Sequence, residues 1–132
     1  MCLITKQKEP LKAKKKILVY KVLDQHDFPP YYPDYPYKHG KNKAMGPKQV
    51  VKEKDGDENW VYWVYGGFLH AYTSEERAYA NALAYNITDV VSLPHTDYDR
   101  LYQVNKMYVP VGAEYYIDEQ CGEICADCLV WK

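Results

Sequence analysis

The sequence predicts a single compact α+β domain, built mainly from an antiparallel sheet of about six short strands with one main helix. The composition supports one globular core, because 47% of the 132 residues are hydrophobic and 27% are charged. Short runs of β-branched and aromatic residues recur along the chain, each ended by glycine, proline or a polar turn. One segment carries a clear helix-capping pattern. These observations together define the fold class.

The strands follow from the β-branched and aromatic runs, taken in chain order. Residues 1–16 contain six lysines and few apolar side chains, so we expect a basic, largely mobile lead-in before a domain that spans residues 17–132. The predicted strands span residues 17–23, 50–52, 60–65, 68–72, 90–93, 102–109 and 124–131. The last strand follows residues 114–117 and forms a hairpin with them.

The helix is predicted from the segment Thr73-Ser74-Glu75-Glu76. A threonine cap followed three residues later by glutamate is a capping box, and the two acids face the positive end of the helix dipole. We expect the helix to run from Ser74 to about Tyr85. Ala78, Ala82 and Tyr85 then share the stripe that packs on the sheet.

The segment after the first predicted strand is rich in tyrosine and proline. The chain has 15 Tyr but 2 Phe, and four prolines between residues 28 and 40 exclude a helix or a central strand there. A stiff loop lowers the entropy lost when rings and lysines are presented to a ligand, so this loop is the main candidate binding surface. The candidate ligand-binding residues in it are Tyr31, Tyr32, Tyr35, Tyr37, Lys38, His39, Lys41 and Lys43. The alternative is that the loop lies across the sheet and buries its rings.

The distribution of charge along the chain is strongly asymmetric. Residues 1–54 carry 13 lysines and 5 acids, a net charge of +8, whereas residues 55–132 carry 4 basic and 13 acidic side chains, a net charge of -9. The two blocks either pair within the fold or present one face to an anion such as a nucleotide. Nucleic acid is compatible with the same basic face. An exposed aromatic surface also fits burial in a symmetric homodimer.

Two further residue sets bear on chemistry. His70 follows a Gly-Gly turn, and Tyr72 shares its face of the strand, so both join the candidate ligand-binding residues. Cys121, Cys125 and Cys128 are close in sequence, but strand alternation sends Cys125 and Cys128 to opposite faces. We therefore expect structural or free thiols, with a zinc site as the alternative. No cofactor is predicted.

The location of the protein is predicted from its hydropathy. No apolar run approaches the ~18 residues that a membrane span needs. Lysines interrupt the N-terminus, where a signal peptide has its apolar stretch. We therefore expect a cytoplasmic protein without a membrane partner.

Four motifs invite comparison with known families: Val19–Leu23, Gly67-Phe68 with Thr73-Ser74, Val109–Tyr116 and Ala126-Asp127-x-Leu129-Val130. In this order they resemble a family of small phage and gut-bacterial proteins without assigned chemistry. The resemblance implies a phage-type accessory role, such as blocking a host defence protein or sequestering its nucleotide signal. Together with the loop, it leads us to expect a non-catalytic binding module and inhibitor.

Thr73, Ser74 and Glu123 carry a second likeness. They resemble the Ser-Thr-type strand and the late acidic residue that line the nicotinamide cleft in the sheet of mono-ADP-ribosyltransferases. This resemblance implies an alternative function, an enzyme that uses NAD in a cleft near Tyr20, His70, Thr73 and Glu123. His70 lies outside the first strand, where that family has its Arg or His, and Thr73-Ser74 is also explained as a helix cap.

Overall fold

The computed structural model describes residues 3–30, 36–56, 59–92 and 101–131, with the backbone alone for residues 88–92. Within these ranges the chain forms one helix and eleven strands in two sheets. The elements are β1 (Leu3–Thr5), β2 (Leu11–Lys12), β3 (Ile17–Leu23), β4 (Gly40–Lys43), β5 (Gln49–Asp55), β6 (Asn59–Gly66), β7 (Leu69–Tyr72), α1 (Glu75–Ser92), β8 (Gln103–Val109), β9 (Glu114–Asp118), β10 (Glu123–Ala126) and β11 (Cys128–Trp131).

The fold is α+β, a single compact domain of antiparallel strands with one helix, as predicted. The larger sheet has eight strands in the order β2-β9-β10-β7-β3-β8-β11-β4, and the smaller sheet has the order β1-β6-β5. The prediction of about six strands in one sheet is wrong. Strands such as β1, β2 and β4 are two to four residues long. They pair through backbone hydrogen bonds and are too short to show an alternating side-chain pattern.

The predicted final strand is two strands in different parts of the sheet. The chain bends at Asp127, so that β10 lies between β9 and β7 while β11 lies between β8 and β4. Asp127 Oδ1 accepts a hydrogen bond from the Glu114 backbone N–H at 3.1 Å, and its other oxygen lies 3.3 Å from Lys48 Nζ. The side chain of Asp127 therefore stabilises the bend in which it lies.

The basic lead-in contributes β1 and β2 to the two sheets. β1 pairs with β6, and β2 pairs with β9. Thr5 Oγ1 donates to the Ile117 carbonyl at 2.8 Å, and Gln7 Nε2 donates to the Tyr115 carbonyl at 3.0 Å. Polar side chains thus attach a segment that has few apolar residues, while its lysines stay exposed.

The main core lies on one face of the eight-stranded sheet. Val19 and Leu23 of β3, Met107 and Val109 of β8 and Ile124 of β10 are almost completely buried there. Each such side chain contributes roughly 1.5–3 kcal/mol by leaving water. On the opposite face, α1 covers the sheet with the predicted stripe, because Ala78 and Ala82 pack with Val22, Tyr72 and Tyr102.

The helix differs from its prediction at both ends. Ser74, not Thr73, is the cap: Ser74 Oγ accepts the Arg77 N–H at 3.3 Å, and α1 begins at Glu75. At the other end α1 continues to Ser92, so the strand predicted at 90–93 is wrong for residues 90–92. The β-branched residues there disfavour a helix by only about 0.5 kcal/mol each, a weak local preference that tertiary context commonly overrides. Within the described residues, no helix is long and apolar enough to cross a membrane.

The two central strands β3 and β7 diverge. They are paired at one position, Tyr20 with Tyr72, whereas β3 and β8 are paired at seven consecutive positions. Beyond that single pair, Lys21 Nζ donates to the His70 carbonyl at 2.6 Å. The lysine side chain therefore supplies a donor where the strand ladder has opened, and the opening between the strands forms part of a cleft.

Candidate ligand-binding site

A cleft of about 730 Å³ lies where β3 and β7 diverge, between α1 and the edge of the smaller sheet. Its polar lining comes from Lys21, His70, Tyr72, Asn81, Asp118 and Glu123. Apolar walls are supplied by side chains that include Leu3, Pro29, Pro30, Tyr65 and Phe68. A cleft of this size, with a few polar groups set among apolar walls, has the usual character of a small-molecule site.

Lys21 is the one buried lysine among the described residues, with 5% of its surface exposed. It stands at an inward position of β3, between Val19 and Leu23, and its Nζ lies 5.2 Å from the centre of the Tyr37 ring. Burial lowers the pKa of Lys21 to about 7, because a charged ammonium loses its hydration there. Lys21 therefore loses its proton far more readily near neutral pH than an exposed lysine does.

His70 and Glu123 form a polar pair in the cleft. Strand register brings them together: β7 pairs with β10 so that Tyr72 lies opposite Glu123 and His70 opposite Cys125. His70 Nε2 lies 3.0 Å from Glu123 Oε1. Burial lowers the pKa of His70, and the hydrogen bond to Glu123 opposes this effect. A neutral imidazole that donates to the carboxylate follows at pH 7.

Tyr72 and Cys121 supply protonated groups to the same cleft. The Tyr72 ring meets the His70 ring edge-on, with centroids 4.8 Å apart. Burial, with the neighbouring Tyr85 and Glu123, raises the pKa of Tyr72. A hydrogen bond with Asp118 raises the pKa of the Cys121 thiol. Both groups are therefore hydrogen-bonding rather than nucleophilic at neutral pH.

The described residues of the predicted loop site lie in different parts of the fold. Tyr37 is buried in the core, with 2% of its surface exposed. Lys38 and His39 precede the edge strand β4, which holds Lys41 and Lys43, and His39 stacks on Trp131 with ring centres 4.3 Å apart. In the sheet order β4 is separated from β3 by β8 and β11, so these basic residues are not part of the cleft lining. Tyr31, Tyr32 and Tyr35 lie outside the described residues.

The cleft of the predicted alternative function is assembled in part. His70 and Glu123 meet, as that alternative requires. Thr73 instead donates its backbone N–H to the Gly122 carbonyl at 2.8 Å. Tyr20 packs against the cluster beneath α1, and neither it nor Thr73 lines the cleft.

Sequence reasoning missed Lys21, Asn81 and Asp118 as cleft residues. A signal was available for Lys21, because in the predicted strand 17–23 it alternates in phase with Val19 and Leu23. A lysine at an inward position of a buried strand is rare unless it has a partner or a function. The other two residues lie in α1 and at the end of β9, and only tertiary structure brings them to β3.

The described cysteines do not cluster. Cys125 is fully buried near Leu3 and Phe68 and is disulfide-bonded, whereas Cys121 and Cys128 are free. Cys125 lies on β10 and Cys128 on β11, which are not neighbours in the sheet. In the part of the chain that the structure describes, no group of three or more His, Cys, Asp or Glu side chains is placed to hold a metal ion.

Comparison with known proteins identifies no relative. No family model, curated protein or solved structure matches the chain. The resemblances noted from motifs therefore remain predictions.

Proposed function

We propose that the protein is a binding module that holds a nucleotide-sized ligand in the cleft between β3 and β7. One observation carries this proposal: a cleft of about 730 Å³ is lined by a histidine–carboxylate pair, by further polar side chains and by aromatic rings. Its volume falls within the range of small-molecule sites, roughly 300–1,000 Å³. We therefore propose the cleft as the site of the partner, while the tyrosine-proline loop stays a prediction from the sequence.

The lining supplies the three kinds of contact that a nucleotide needs. Glu123 has acceptor oxygens for ribose hydroxyls, and the Asn81 amide has a donor and an acceptor for the edge of a base. The half-exposed Tyr65 ring provides a surface for stacking. Positive charge near the cleft comes from Arg77 in the first turn of α1, which lies outside the lining but acts electrostatically on both Tyr72 and Cys121.

Binding is favoured over catalysis by the state of the potential nucleophiles. The phenol of Tyr72 and the thiol of Cys121 have raised pKa values, so neither is an activated nucleophile at neutral pH. Both are suited to donate hydrogen bonds to a ligand. The family resemblance adds the role of this binding, which is to sequester a nucleotide signal of a host defence system.

The proposal is tested by calorimetric titration with AMP, ADP, ATP, NAD and ADP-ribose. At least one of them should bind, and Glu123→Gln should weaken that binding about tenfold, since a hydrogen bond to a charged group contributes about 1.5–3 kcal/mol. Lys41→Ala on the edge strand β4 is the control and should leave the affinity unchanged. Absence of binding by all five compounds at millimolar concentration would refute the proposal, as would equal affinity of Glu123→Gln.

The second candidate function is an ADP-ribosyltransferase-like reaction on NAD. It is favoured by the 3.0 Å contact between His70 and Glu123 inside the cleft. Incubation with NAD and a mixture of acceptor proteins should then release nicotinamide, and Glu123→Gln should abolish the release. Intact NAD after prolonged incubation would reject this function and leave the binding proposal standing.

A further inference from the structure

We propose that a second surface of the protein binds single-stranded nucleic acid. It is the face of β3, β8, β11 and β4 that bears Leu18, Tyr108, Val130 and Lys41, and we call it the basic sheet face. None of these four residues lines the cleft. The inference therefore goes beyond the proposed nucleotide binding and does not depend on it.

Strand register places these four side chains in one row across the sheet. Leu18 of β3 lies opposite Tyr108 of β8. Val130 of β11 is paired with Tyr108 on one side and with Lys41 of β4 on the other. Side chains at paired positions of neighbouring strands share a face of the sheet. The row therefore forms a continuous surface across four strands.

The apolar part of this row is open to solvent. Leu18 has 53% of its surface exposed, and Tyr108 and Val130 are partly exposed. Two positions further along β3, Tyr20 shares the face of Leu18 but packs in the cluster beneath α1. The helix thus covers the neighbouring part of this face and leaves the row accessible. Adjacent apolar side chains on an open sheet face indicate a contact surface.

Exposed lysines surround the row. Lys16 and Lys106 each stand two positions before a member of the row, so strand alternation places both on the same face. The Nζ atom of Lys16 lies 4.7 Å from the centre of the Tyr108 ring. Lys41 ends the row, and Lys43 follows it by two positions along β4.

The charge of this part of the sheet is of one sign. None of the four strands contains an aspartate or a glutamate. Asp127, the acid that directly precedes β11, has its carboxylate 3.3 Å from Lys48 Nζ. The basic sheet face is therefore complementary to a polyanion.

The central ring favours single-stranded nucleic acid over other polyanions. Proteins that bind single strands combine lysines for the phosphates with aromatic rings on which the bases stack. Tyr108 supplies such a ring, and the Lys16 ammonium would move from the ring to a phosphate when a base stacks there. A duplex keeps its base faces inside the stack, and its major groove admits a helix or a two-stranded ribbon rather than an open four-stranded face. Lipid headgroups and acidic peptides offer charge without bases.

A second cluster of lysine and aromatic side chains supplies matched controls. Lys52 Nζ lies 4.1 Å from the centre of the Trp60 ring, and Trp60 has 44% of its surface exposed. In β5, however, Lys52 and Lys54 alternate with Glu53 and Asp55, so this cluster has no excess of positive charge. Trp60→Ala and Lys54→Ala should therefore leave the affinity for nucleic acid unchanged.

The experiment measures the fluorescence anisotropy of a labelled oligothymidylate of about ten nucleotides as the full chain is added. We expect binding at low salt. Tyr108→Ala should weaken it about tenfold through the loss of stacking, whereas Tyr108→Phe keeps the ring and should bind within about twofold of the wild type.

The contribution of the lysines is measured by the dependence on salt. For a single strand, the logarithm of the binding constant falls with the logarithm of the salt concentration by about 0.7 for each phosphate neutralised. Lys16→Ala, Lys106→Ala and Lys41→Ala should each lower this slope by about 0.7, and Lys54→Ala should keep it. Lys41→Ala should also leave the affinity of the cleft for mononucleotides unchanged, so it separates the two sites.

Several results would overturn the inference. One is absence of binding at about 50 mM salt. Another is equal affinity for a duplex, for polyglutamate or for phosphatidylserine vesicles, since charge alone would then explain the binding. A third is weakening by Trp60→Ala with no effect of Tyr108→Ala, which would place the nucleic acid on the smaller sheet. If Tyr108→Ala does not fold, a wild-type salt slope in all three lysine variants of the face decides against the proposal. Each of these results leaves the cleft untested, because its binding is measured with mononucleotides and Glu123→Gln.

Discussion

Replacing Lys21 with methionine should remove a large pH dependence from the stability of the protein. The pKa of Lys21 is lowered from 10.5 to about 7 in the folded chain. Between these two values the unfolded chain binds one proton that the folded chain has released. The free energy of unfolding of the wild-type protein therefore rises with pH across this window, and the benefit is lost as the pH falls towards 7.

The size of this effect follows from the two pKa values. Between pH 7 and pH 9 the linkage relation gives a gain of about 2 kcal/mol for the wild-type protein. Methionine does not titrate, so the difference in free energy of unfolding between wild type and Lys21→Met should change by this amount. The loss of the hydrogen bond to the His70 carbonyl adds a destabilisation that does not vary with pH in this range.

The assay is urea unfolding followed by tryptophan fluorescence at several values between pH 7 and pH 9. Cys121 and Cys128 have raised pKa values and oppose the trend at the upper end, but they are present in both proteins and cancel in the difference. The lowered pKa of His70 keeps its titration below this range. Lys106→Met, an exposed control on β8, should follow the wild type. If the free energies of unfolding of wild type and Lys21→Met changed with pH in parallel, Lys21 would remain charged inside the fold, and the predicted lowering of its pKa would be wrong.

Three further substitutions test other parts of the structure. Gly67→Ala should lower the free energy of unfolding by more than about 3 kcal/mol, because φ is +79° and the new Cβ would lie 2.5 Å from a backbone atom. Gly56→Ala is the control and should lower it by about 1 kcal/mol, because φ is +83° but the space around it is open. Equal losses of the two variants in urea titrations would contradict the predicted clash. Ser74→Ala should lower the free energy of unfolding by about 1 kcal/mol through loss of the cap of α1, and an unchanged urea midpoint would refute this role. Asp118→Asn should speed the alkylation of Cys121 by iodoacetamide at pH 8, because Asp118 raises the pKa of that thiol, and an unchanged rate would remove Asp118 as the cause.

The long strands were predictable from the sequence because their side-chain patterns are complete. The predicted strand 17–23 is the observed β3, and 60–65 lies within β6. The short strands β1, β2 and β4 were not predictable, since they are held by backbone pairing and by side chains such as that of Thr5. The end of α1 was missed because Val90 and Val91 favour a strand locally, whereas the helix continues through them.

The cleft was predicted only in part, because its residues are brought together by strand register. His70 and Glu123 are 53 positions apart, and their contact depends on β7 pairing with β10, which no local pattern specifies. Lys21 was missed for a different reason. Lysine is almost always exposed in folded proteins, so its inward position in β3 was outweighed by its residue type.

The single residue pair between β3 and β7 has a consequence for detecting the ligand of this protein. Fewer main-chain hydrogen bonds cross this line of the sheet than cross between β3 and β8, so amide protons of β7 that face β3 should exchange with solvent early. A molecule that contacts Lys21 on one strand and His70 on the other would connect the two halves and slow that exchange. Deuterium uptake in this strand therefore offers a screen for the natural ligand that applies to compounds of any chemical class.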